Sequence, residues 1–555
     1  MEIKVEIGNW QYNAGIVGLY NILNYAKENS VRLEKDSMYF ESEELENFEE
    51  KYFNYLIKVY EKTLSWYKIV SFEERLNYFR EKEIDEKDLE EINKYVKDIL
   101  KKYLKSNSYI AGYNFINGKI NPIQEEKELK TISLKKNEKI SDKKDEIINL
   151  LNKIEKIIEY FNSSDAKKYI RGKNLVYTVI KNGWDGVSFL YKQTKEKDIY
   201  KDFKNYFLTP VYEYLESDTE KYKYNCFICD RKIKNLDNDF NFLVNTGFDI
   251  SRKLSHVWNF TNDVSMCPIC KLVYSCVPVG FTYVYGSGLF INANTDISEL
   301  IKINSLIKTE IYRENSLSGI YKILNRELQK DIKYELEDIQ LVRFENEKYF
   351  FNILSKNMIR VLIDSKDDFT KIENQSYILN GENYSLNDEI SKKILNNENL
   401  FNLIHKITYS KISMSSKYLT EKAIFATIKI NFRILKGTGY MDNKELDILT
   451  KARLAGRNLK EKYEAKGSEH KLQGICYRLL NGIKTNNISM TMDTILNSYL
   501  YCNEGVPKII VEMMEKEEIF KEMGYAFVSG LLSIKYDENN DKGDKIGRAS
   551  CRERV

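Results

Sequence analysis

Histidine is nearly absent from this chain. The 555 residues include only three histidines, at positions 256, 405 and 470. Zinc enzymes of the common kinds need two or three imidazole ligands close together. The shortage therefore argues against histidine-rich metal catalysis and against the His-Asp motif of phosphohydrolases.

The common catalytic motifs are missing as well. The sequence has no Walker A loop, no H-E-x-x-H helix and no G-x-S-x-G elbow. Two short glycine pairs, at 286–288 and 437–439, stand alone and are more typical of turns than of phosphate-binding loops. We therefore expect a binding or scaffold protein rather than an enzyme.

Long apolar runs are scarce. The longest stretch without a charged side chain, 272–295, contains Pro278 and three glycines, and its apolar residues alternate like a strand from 277 to 285. This pattern argues against a transmembrane helix. The first six residues, MEIKVE, also alternate like a strand and do not resemble a leader peptide. Together with free thiols, these features predict a cytoplasmic protein without a membrane partner.

Neither sign of charge dominates the whole chain. The 86 Lys and Arg residues nearly balance 83 Asp and Glu, which gives a formal net charge of +3. Such a balance excludes little, because local patches can still bind nucleic acid. Its 555 residues are enough for two to four domains, and 43% hydrophobic residues with 41 tyrosines can form their cores.

The last ten residues, 546–555, need separate treatment. Their sequence, IGRASCRERV, resembles the translation of a sequencing adapter. We expect the native C-terminus to be missing, and we exclude these residues from predictions of the fold and the site.

Cysteine carries the strongest signal. Four of the eight cysteines form two C-x2-C pairs, Cys226 with Cys229 and Cys267 with Cys270, separated by residues 230–266. Each pair places two thiolates on one tight turn, and two facing turns form the tetrahedral four-sulfur site that zinc favours. Two unrelated thiol pairs, or two redox motifs, are the alternatives. Two doublets in one long chain favour a structural zinc site.

Residues around the pairs fit the same interpretation. The long insert predicts that the metal ties a sizeable subdomain together. Cys276 and His256 are spare ligand candidates, because neither belongs to a doublet. The basic residues expected to offset the charge of four thiolates are Arg231, Lys232, Lys253 and Lys271.

Apolar periodicity predicts an α+β body followed by helices. A first strand leads into a helix with Asn13 as a candidate cap, where Gly15 and Gly18 permit close packing. Further helices are predicted at 43–67, 85–104 and 147–160, a loop at 106–122, strands at 281–291 and 339–344, and a turn at 380–381. The predicted C-terminal helices are 388–407, 417–435, 443–462, 471–484, 489–501, 507–516 and 518–532.

These patterns predict four regions. They are an N-terminal α+β region at 1–223, a zinc subdomain at 224–295, the remainder of the α+β body at 296–386, and an all-helical bundle at 387–545.

The helical bundle is electrically uneven. Segment 411–484 has 16 Lys and Arg against 7 Asp and Glu, whereas 485–545 has 6 against 11. Helical spacing places several of the cations on one face, which could follow a phosphate backbone, although a solvated helix face is the alternative. The candidate nucleic-acid contacts are Lys451, Arg453, Arg457, Lys460, Lys471, Arg478 and Lys484.

Four ordered groups of residues resemble the CXXC-CXXC family of CRISPR-associated proteins, the large subunit of the type I-B Cascade complex. The resemblance extends from residue 1 to about residue 535. The groups are Trp10-x-Tyr12-Asn13-Ala14-Gly15-Ile16-x-Gly18, the two cysteine pairs, the PVGF sequence at 278–281, and a C-terminal run with YRLLN at 477–481, Val506-Pro507 and GYAF at 524–527.

The resemblance implies a non-catalytic subunit of a crRNA-guided antiviral complex. Such a subunit helps recognise the protospacer-adjacent motif, opens target DNA and prepares recruitment of a separate helicase-nuclease. Its expected partners are the other Cascade subunits, crRNA, the target duplex, the displaced single strand and the helicase-nuclease. The helical C-terminus of such subunits resembles the small subunit that lines the displaced strand, which suits the basic segment.

Two functions from other classes stay open at the level of sequence. One is a free-standing zinc-containing nucleic-acid-binding regulator. The other is an enzyme whose site is assembled from scattered carboxylates. Purification with or without bound crRNA separates these hypotheses from a Cascade subunit.

Overall fold

The computed structural model describes residues 1–27, 29–118, 120–135, 138–246, 264–284, 286–293, 296–314, 339–354, 356–413, 418–437 and 446–533. Predictions about Lys253, His256 and residues 546–555 lie outside these ranges.

The α+β class is confirmed. The chain divides into two compact units, the first made of Met1–Thr309 and Ile339–Phe351 and the second of Glu310–Asp338 and Asn352–Val555. The finer four-part division stays a prediction.

Three small sheets belong to the first unit or run to its boundary. Strands β1 (Glu2–Glu6), β2 (Val31–Glu34) and β3 (Ser37–Glu41) form an antiparallel sheet in the order β1-β3-β2. Strands β4 (Tyr224–Asn225) and β5 (Lys232–Ile233) form a hairpin. The third sheet has the order β6-β7-β8-β9 and consists of β6 (Thr282–Val284), β7 (Ser287–Asn292), β8 (Ile339–Glu345) and β9 (Lys348–Leu354).

The first unit also contains helices. They are α1 (Trp10–Ala26), α2 (Phe48–Tyr60), α3 (Ser65–Val70), α4 (Glu73–Glu81), α5 (Glu86–Tyr95), α6 (Lys101–Tyr103), α7 (Asn107–Tyr113), α8 (Pro122–Glu128), α9 (Lys144–Asn162), α10 (Ser164–Thr178), α11 (Ile199–Phe203), α12 (Thr209–Leu215), α13 (Pro268–Ser275), α14 (Val277–Gly280) and α15 (Ile297–Glu314). A π-helical turn at Val96–Leu100 joins α5 to α6, so the helix predicted at 85–104 is continuous.

Several local predictions for the first unit were wrong. The predicted helix at 43–67 is interrupted, because Asn47 takes a left-handed conformation before α2 begins. The predicted loop at 106–122 contains α7. Residues 277–280 form α14 rather than a strand. Pro278 lies in the first turn, where the missing N–H of proline costs no helical hydrogen bond.

The cap of α1 is Asn9 and not Asn13. The Asn9 side chain accepts hydrogen bonds from the amides of Gln11 and Tyr12, both at 3.0 Å. Asn13 lies one turn inside the helix, where it is buried and donates to the Asn292 side chain at 2.8 Å. Asn13 therefore connects α1 to β7 instead of capping the start of the helix.

The second unit is mainly helical. A hairpin of β10 (Ser376–Leu379) and β11 (Glu382–Ser385) turns at Asn380-Gly381, where both residues have positive φ, as predicted for such a pair. The helices are α16 (Lys356–Asp364), α17 (Lys366–Ile372), α18 (Leu386–Leu395), α19 (Phe401–Ile412), α20 (Glu421–Gly437), α21 (Leu446–Ala465), α22 (Leu472–Lys484), α23 (Ile488–Cys502), α24 (Lys508–Glu515) and α25 (Phe520–Leu531).

The C-terminal helix predictions are largely confirmed. The exception is 388–407, which divides into α18 and α19 between Leu395 and Phe401. Helices α21 and α25 pack at backbone distance: a Cβ on Gly530 would lie 2.0 Å from the Arg453 carbonyl oxygen, so only glycine fits there. No helix in the described ranges is long and apolar enough to cross a membrane.

One buried carboxylate joins α17 to α20. Asp368 is 1% exposed and lies 2.5 Å from the Lys429 ammonium and 2.7 Å from the Arg433 guanidinium. Burial opposes its ionisation, but hydrogen bonds from these two cations hold the Asp368 pKa below its usual value.

Candidate metal centre

The first cysteine pair lies on the β4–β5 hairpin. The Cys226 amide donates to the Arg231 carbonyl at 2.8 Å, and the Asp230 amide donates to the Cys226 carbonyl at 2.9 Å. Asp230 has a φ of +58, which closes the turn. This geometry directs the sulfurs of Cys226 and Cys229 to the same side.

The second pair begins a helix. Cys267 is the N-cap of α13 and Pro268 occupies its first turn. The Cys270 amide donates to the Cys267 sulfur at 3.4 Å. A helix N-terminus stabilises negative charge, so this position favours thiolates.

The two turns bring four sulfurs together, as the sequence predicts. The sulfurs of Cys226, Cys229, Cys267 and Cys270 all lie within 4.8 Å of one another, and those of Cys229 and Cys267 are 3.6 Å apart. A tetrahedral site with Zn–S bonds of ~2.3 Å has sulfur–sulfur distances of roughly 3.8 Å. The seven cysteines in the described part of the chain form no disulfide. The donor set therefore fits a tetrahedral zinc ion.

Thiol pKa values within the cluster move in opposite directions. Hydrogen bonds from the other three cysteines lower the pKa of Cys226, whereas the hydrogen bonds that Cys267 and Cys270 make with Cys226 raise theirs. The four thiols thus share protons and do not ionise together. A divalent cation at their centre would displace these protons, which is the usual coupling of metal binding to proton release.

Two side chains extend the hydrogen bonding around the sulfurs. The Tyr12 hydroxyl lies 3.3 Å from the Cys270 sulfur, and Arg231 donates to the Cys229 sulfur at 3.6 Å. Burial lowers the pKa of Arg231, but the nearby thiolates outweigh it and leave the pKa raised, so the guanidinium stays charged.

The residues predicted to offset the thiolate charge have different surroundings. Arg231 contacts a sulfur, as expected. Lys271 instead donates to Asn238 at 3.2 Å and lies 3.9 Å from the Tyr206 ring centre. Cys276, the spare ligand, is outside the four-sulfur cluster and donates its thiol to the Leu272 carbonyl at 3.4 Å.

Sequence analysis missed the role of Tyr12. It belongs to the N-terminal motif, but no spacing rule links that motif to a cysteine 258 positions away. The one signal in the sequence was the glycine of the N-terminal motif, Gly18, because a glycine permits close packing of two backbones. A Cβ on Gly18 would lie 2.1 Å from the Cys276 carbonyl oxygen, so α1 and the segment after the second cysteine pair touch at their backbones.

Most predicted nucleic-acid contacts on α21 already have protein partners. Lys451 pairs with Asp447 at 2.7 Å and Arg457 with Glu461 at 3.3 Å. The remaining two, Arg453 and Lys460, are half-buried. Lys460 donates to the Ser533 carbonyl and lies 3.5 Å from Glu464, and the Arg453 guanidinium lies 4.6 Å from the Phe425 ring centre.

Lys471 and Arg478 are brought together at the surface. They line a groove of about 710 Å³ between α22 and α23, with Tyr501, Asn487 and Asn497 among its other residues. Both side chains are exposed, and the Lys471 ammonium donates to the Tyr501 hydroxyl at 3.1 Å.

Lys484 lies apart from this groove, at the end of α22, where it is exposed. Burial, and next the charge of Lys484, lower the pKa of His405. The structure thus separates the predicted cations into groups, and their contact with nucleic acid stays a prediction.

The first unit is therefore an α+β body with a cluster of four cysteines, three of them buried, that could hold a metal ion. Residues 219–282 match the family model described as CRISPR-associated protein (Cas_CXXC_CXXC). The matched stretch includes the β4–β5 hairpin, both cysteine pairs, α13 and α14. Comparisons with curated proteins and with solved structures gave no match. The match and the cysteine cluster support a CRISPR-associated role.

Proposed function

We propose that this chain is the non-catalytic large subunit of a crRNA-guided type I-B CRISPR antiviral complex. The observation that carries the proposal is the match at 219–282, which surrounds a four-sulfur cluster. In this role the chain helps recognise the protospacer-adjacent motif, open target DNA and recruit a separate helicase-nuclease. The complex would work in the cytoplasm.

The packing of the N-terminal motif supports the same proposal. A Cβ on Gly15 would lie 2.4 Å from the Val273 carbonyl oxygen, and one on Gly280 would lie 1.9 Å from that of Ala14. The Trp10 and Phe281 rings meet edge to face at 6.3 Å. The N-terminal and PVGF motifs therefore form one packed body with the matched stretch, which favours one function for the whole first unit.

The metal is a structural zinc ion in this proposal. When bound, zinc supplies a cross-link between the β4–β5 hairpin and the start of α13. Four thiolates leave no open coordination position for water or substrate, which is typical of structural rather than catalytic sites. Cys226, Cys229, Cys267 and Cys270 would be the ligands.

The groove on the second unit is the best-placed contact for the displaced strand. Single-stranded nucleic acid is bound by cations that meet phosphates and by aromatic rings on which bases stack. Lys471 and Arg478 supply the charges, and Tyr501, which is 41% exposed, supplies a ring. Tyr501 also stacks on Tyr463 at 5.2 Å, which fixes the orientation of its ring.

Purification from a host that carries the repeat array tests the proposal. We expect the tagged chain to bring crRNA and other Cascade subunits with it, and we expect the chain alone to leave DNA, RNA and ATP intact. Recovery without RNA, together with sequence-specific binding of duplex DNA by the isolated chain, would instead identify a free-standing regulator. Metal-dependent cleavage that is lost on a point substitution would identify an enzyme.

A further inference from the structure

Tyr12 and Arg231 each connect a sulfur of the cysteine cluster to the N-terminal segment. Tyr12 lies in the first turns of α1 and is fully buried, with its hydroxyl 3.3 Å from the Cys270 sulfur. One guanidinium nitrogen of Arg231 donates a hydrogen bond to the Cys229 sulfur at 3.6 Å, and another donates to the Lys4 carbonyl of β1. The two contacts involve different sulfurs and different elements.

We propose that Tyr12 and Arg231 are positioning residues of the metal centre, and that through them the bound metal fastens β1 and α1 to the cysteine turns. The inference rests on the zinc centre of the proposed function. It assigns to the metal an effect beyond its own subdomain, because β1 and α1 begin the chain more than 200 residues before the first ligand.

The charge of the centre explains why these contacts matter. Four thiolates around Zn²⁺ carry a net charge of −2, and three of the four cysteines are buried. A buried charge needs a counter-charge or hydrogen-bond donors. Arg231 is the cation that contacts a sulfur within the described residues, and the Tyr12 hydroxyl adds a neutral donor.

Metal binding should strengthen both contacts. The Tyr12 hydroxyl already lies 3.3 Å from the Cys270 sulfur, and an Arg231 nitrogen already lies 3.6 Å from the Cys229 sulfur. Metal binding leaves each sulfur anionic, and hydrogen bonds to ionised acceptors are roughly twice as strong. Metal binding and the attachment of β1 and α1 to the cysteine turns are then linked. Each must stabilise the other by the same free energy.

The shape of the Arg231 side chain is part of the inference. A planar guanidinium can donate to a sulfur and to a carbonyl at the same time, whereas an ammonium on a flexible chain is a single point of charge. Arg231→Lys should therefore keep the counter-charge but weaken the connection to Lys4. Arg231→Gln should lose the charge as well.

The test measures metal affinity in the full chain by zinc competition against a chelator. We expect Tyr12→Phe and Arg231→Gln each to lower zinc affinity about 10- to 100-fold, the range for lost hydrogen-bond partners of metal ligands. The zinc affinity of Arg231→Lys should lie between those of Arg231→Gln and the wild type. In the cobalt-loaded chain, thiolate-to-metal absorption bands should shift in the same variants.

Tyr274→Phe is the matched control. Tyr274 is also buried, and its hydroxyl accepts from the Asn9 side chain at 3.1 Å rather than contacting a sulfur. Its loss should leave metal affinity and the cobalt bands unchanged. Hydrogen exchange of β1 should quicken on metal removal and in the Tyr12 and Arg231 variants, while exchange in α21 and α25 stays the same.

The outcomes separate the inference from the function on which it rests. Failure of the wild-type chain to bind zinc or cobalt would remove the metal centre, and the inference with it. Normal affinity and cobalt bands in Tyr12→Phe and Arg231→Gln, with zinc still bound, would overturn the inference alone. An equal effect of Tyr274→Phe would show general loss of packing and would also overturn it.

Discussion

Gly280 lies against Ala14 so closely that a Cβ on Gly280 would be 1.9 Å from the Ala14 carbonyl oxygen. This contact joins α14, just after the cysteine centre, to α1. Because both sides of the contact are backbone, no side chain can move aside to make room.

Gly280→Ala should therefore destabilise the first unit. Overpacking of a filled interior costs about 1–3 kcal/mol, and a backbone clash belongs at the upper end of that range or beyond it. Gly474→Ala in α22 is the control, because a Cβ there meets nothing within 4 Å. It should leave stability unchanged or raise it by about 0.5–1 kcal/mol. Denaturant unfolding of both variants makes the comparison, and an equal loss in both would contradict the packing argument.

Asp368→Asn should destabilise the second unit strongly. Removal of one partner from a buried ion pair costs about 3–5 kcal/mol, because the other charges stay buried. Lys429 and Arg433 would both lose their carboxylate. Asp367→Asn, one residue earlier and exposed, is the control and should be nearly neutral.

The effect of Asp368 should depend on pH. Its pKa is lower in the folded chain than in the unfolded chain, so its contribution is complete above the unfolded pKa and is lost as pH falls through the folded value. The difference in thermal stability between wild type and Asp368→Asn should be largest near neutral pH and shrink below about pH 4. A difference that stays constant down to pH 2 would argue against the ion pairs as its cause.

Lys471→Gln combined with Arg478→Gln should weaken strand opening by the assembled complex for every target sequence. Each lost phosphate contact on a single strand should reduce the salt slope by roughly 0.7. Discrimination between correct and incorrect adjacent motifs should persist, because contacts to phosphates carry no sequence information. Lys392→Gln with Lys508→Gln removes the same charge from exposed positions outside the groove and is the control. Equal effects of both double variants on strand opening would show that the groove is an ordinary solvated surface and not a contact for the strand.

Apolar periodicity predicted most helices, because a helix that buries one face repeats its apolar residues every three or four positions whatever it packs against. The helix predicted at 147–160 lies within α9, where Ile147, Leu151 and Ile158 are buried. Six of the seven predicted C-terminal segments form single helices. Tertiary contacts decided the exceptions. Residues 277–280 alternate like a strand, yet they form α14, where Gly280 packs against the backbone of α1.

The cysteine centre was predictable and its surroundings were not. Two C-x2-C pairs predict that these four cysteines come together, because each spacing determines a local turn, and their sulfurs do lie within 4.8 Å of one another. The sequence predicts both Arg231 and Lys271 as counter-charges, and nothing local distinguishes Arg231, which contacts a sulfur, from Lys271, which donates to Asn238. Nothing local indicates that Tyr12 lies near Cys270. The same limit applies to the cations of α21, since their positions on the helix do not reveal that Arg453 packs over Phe425.

The zinc content of the purified chain tests the account most directly, because the family match and the packed motifs all surround the four sulfurs. Elemental analysis of the wild-type chain should find one zinc ion per chain, held by the single cysteine cluster found in the described residues. Cys226→Ala with Cys267→Ala should remove it. Cys276→Ala with Cys476→Ala, two buried cysteines outside the cluster, should retain it. Zinc content that is unchanged in the first double variant would contradict the metal centre.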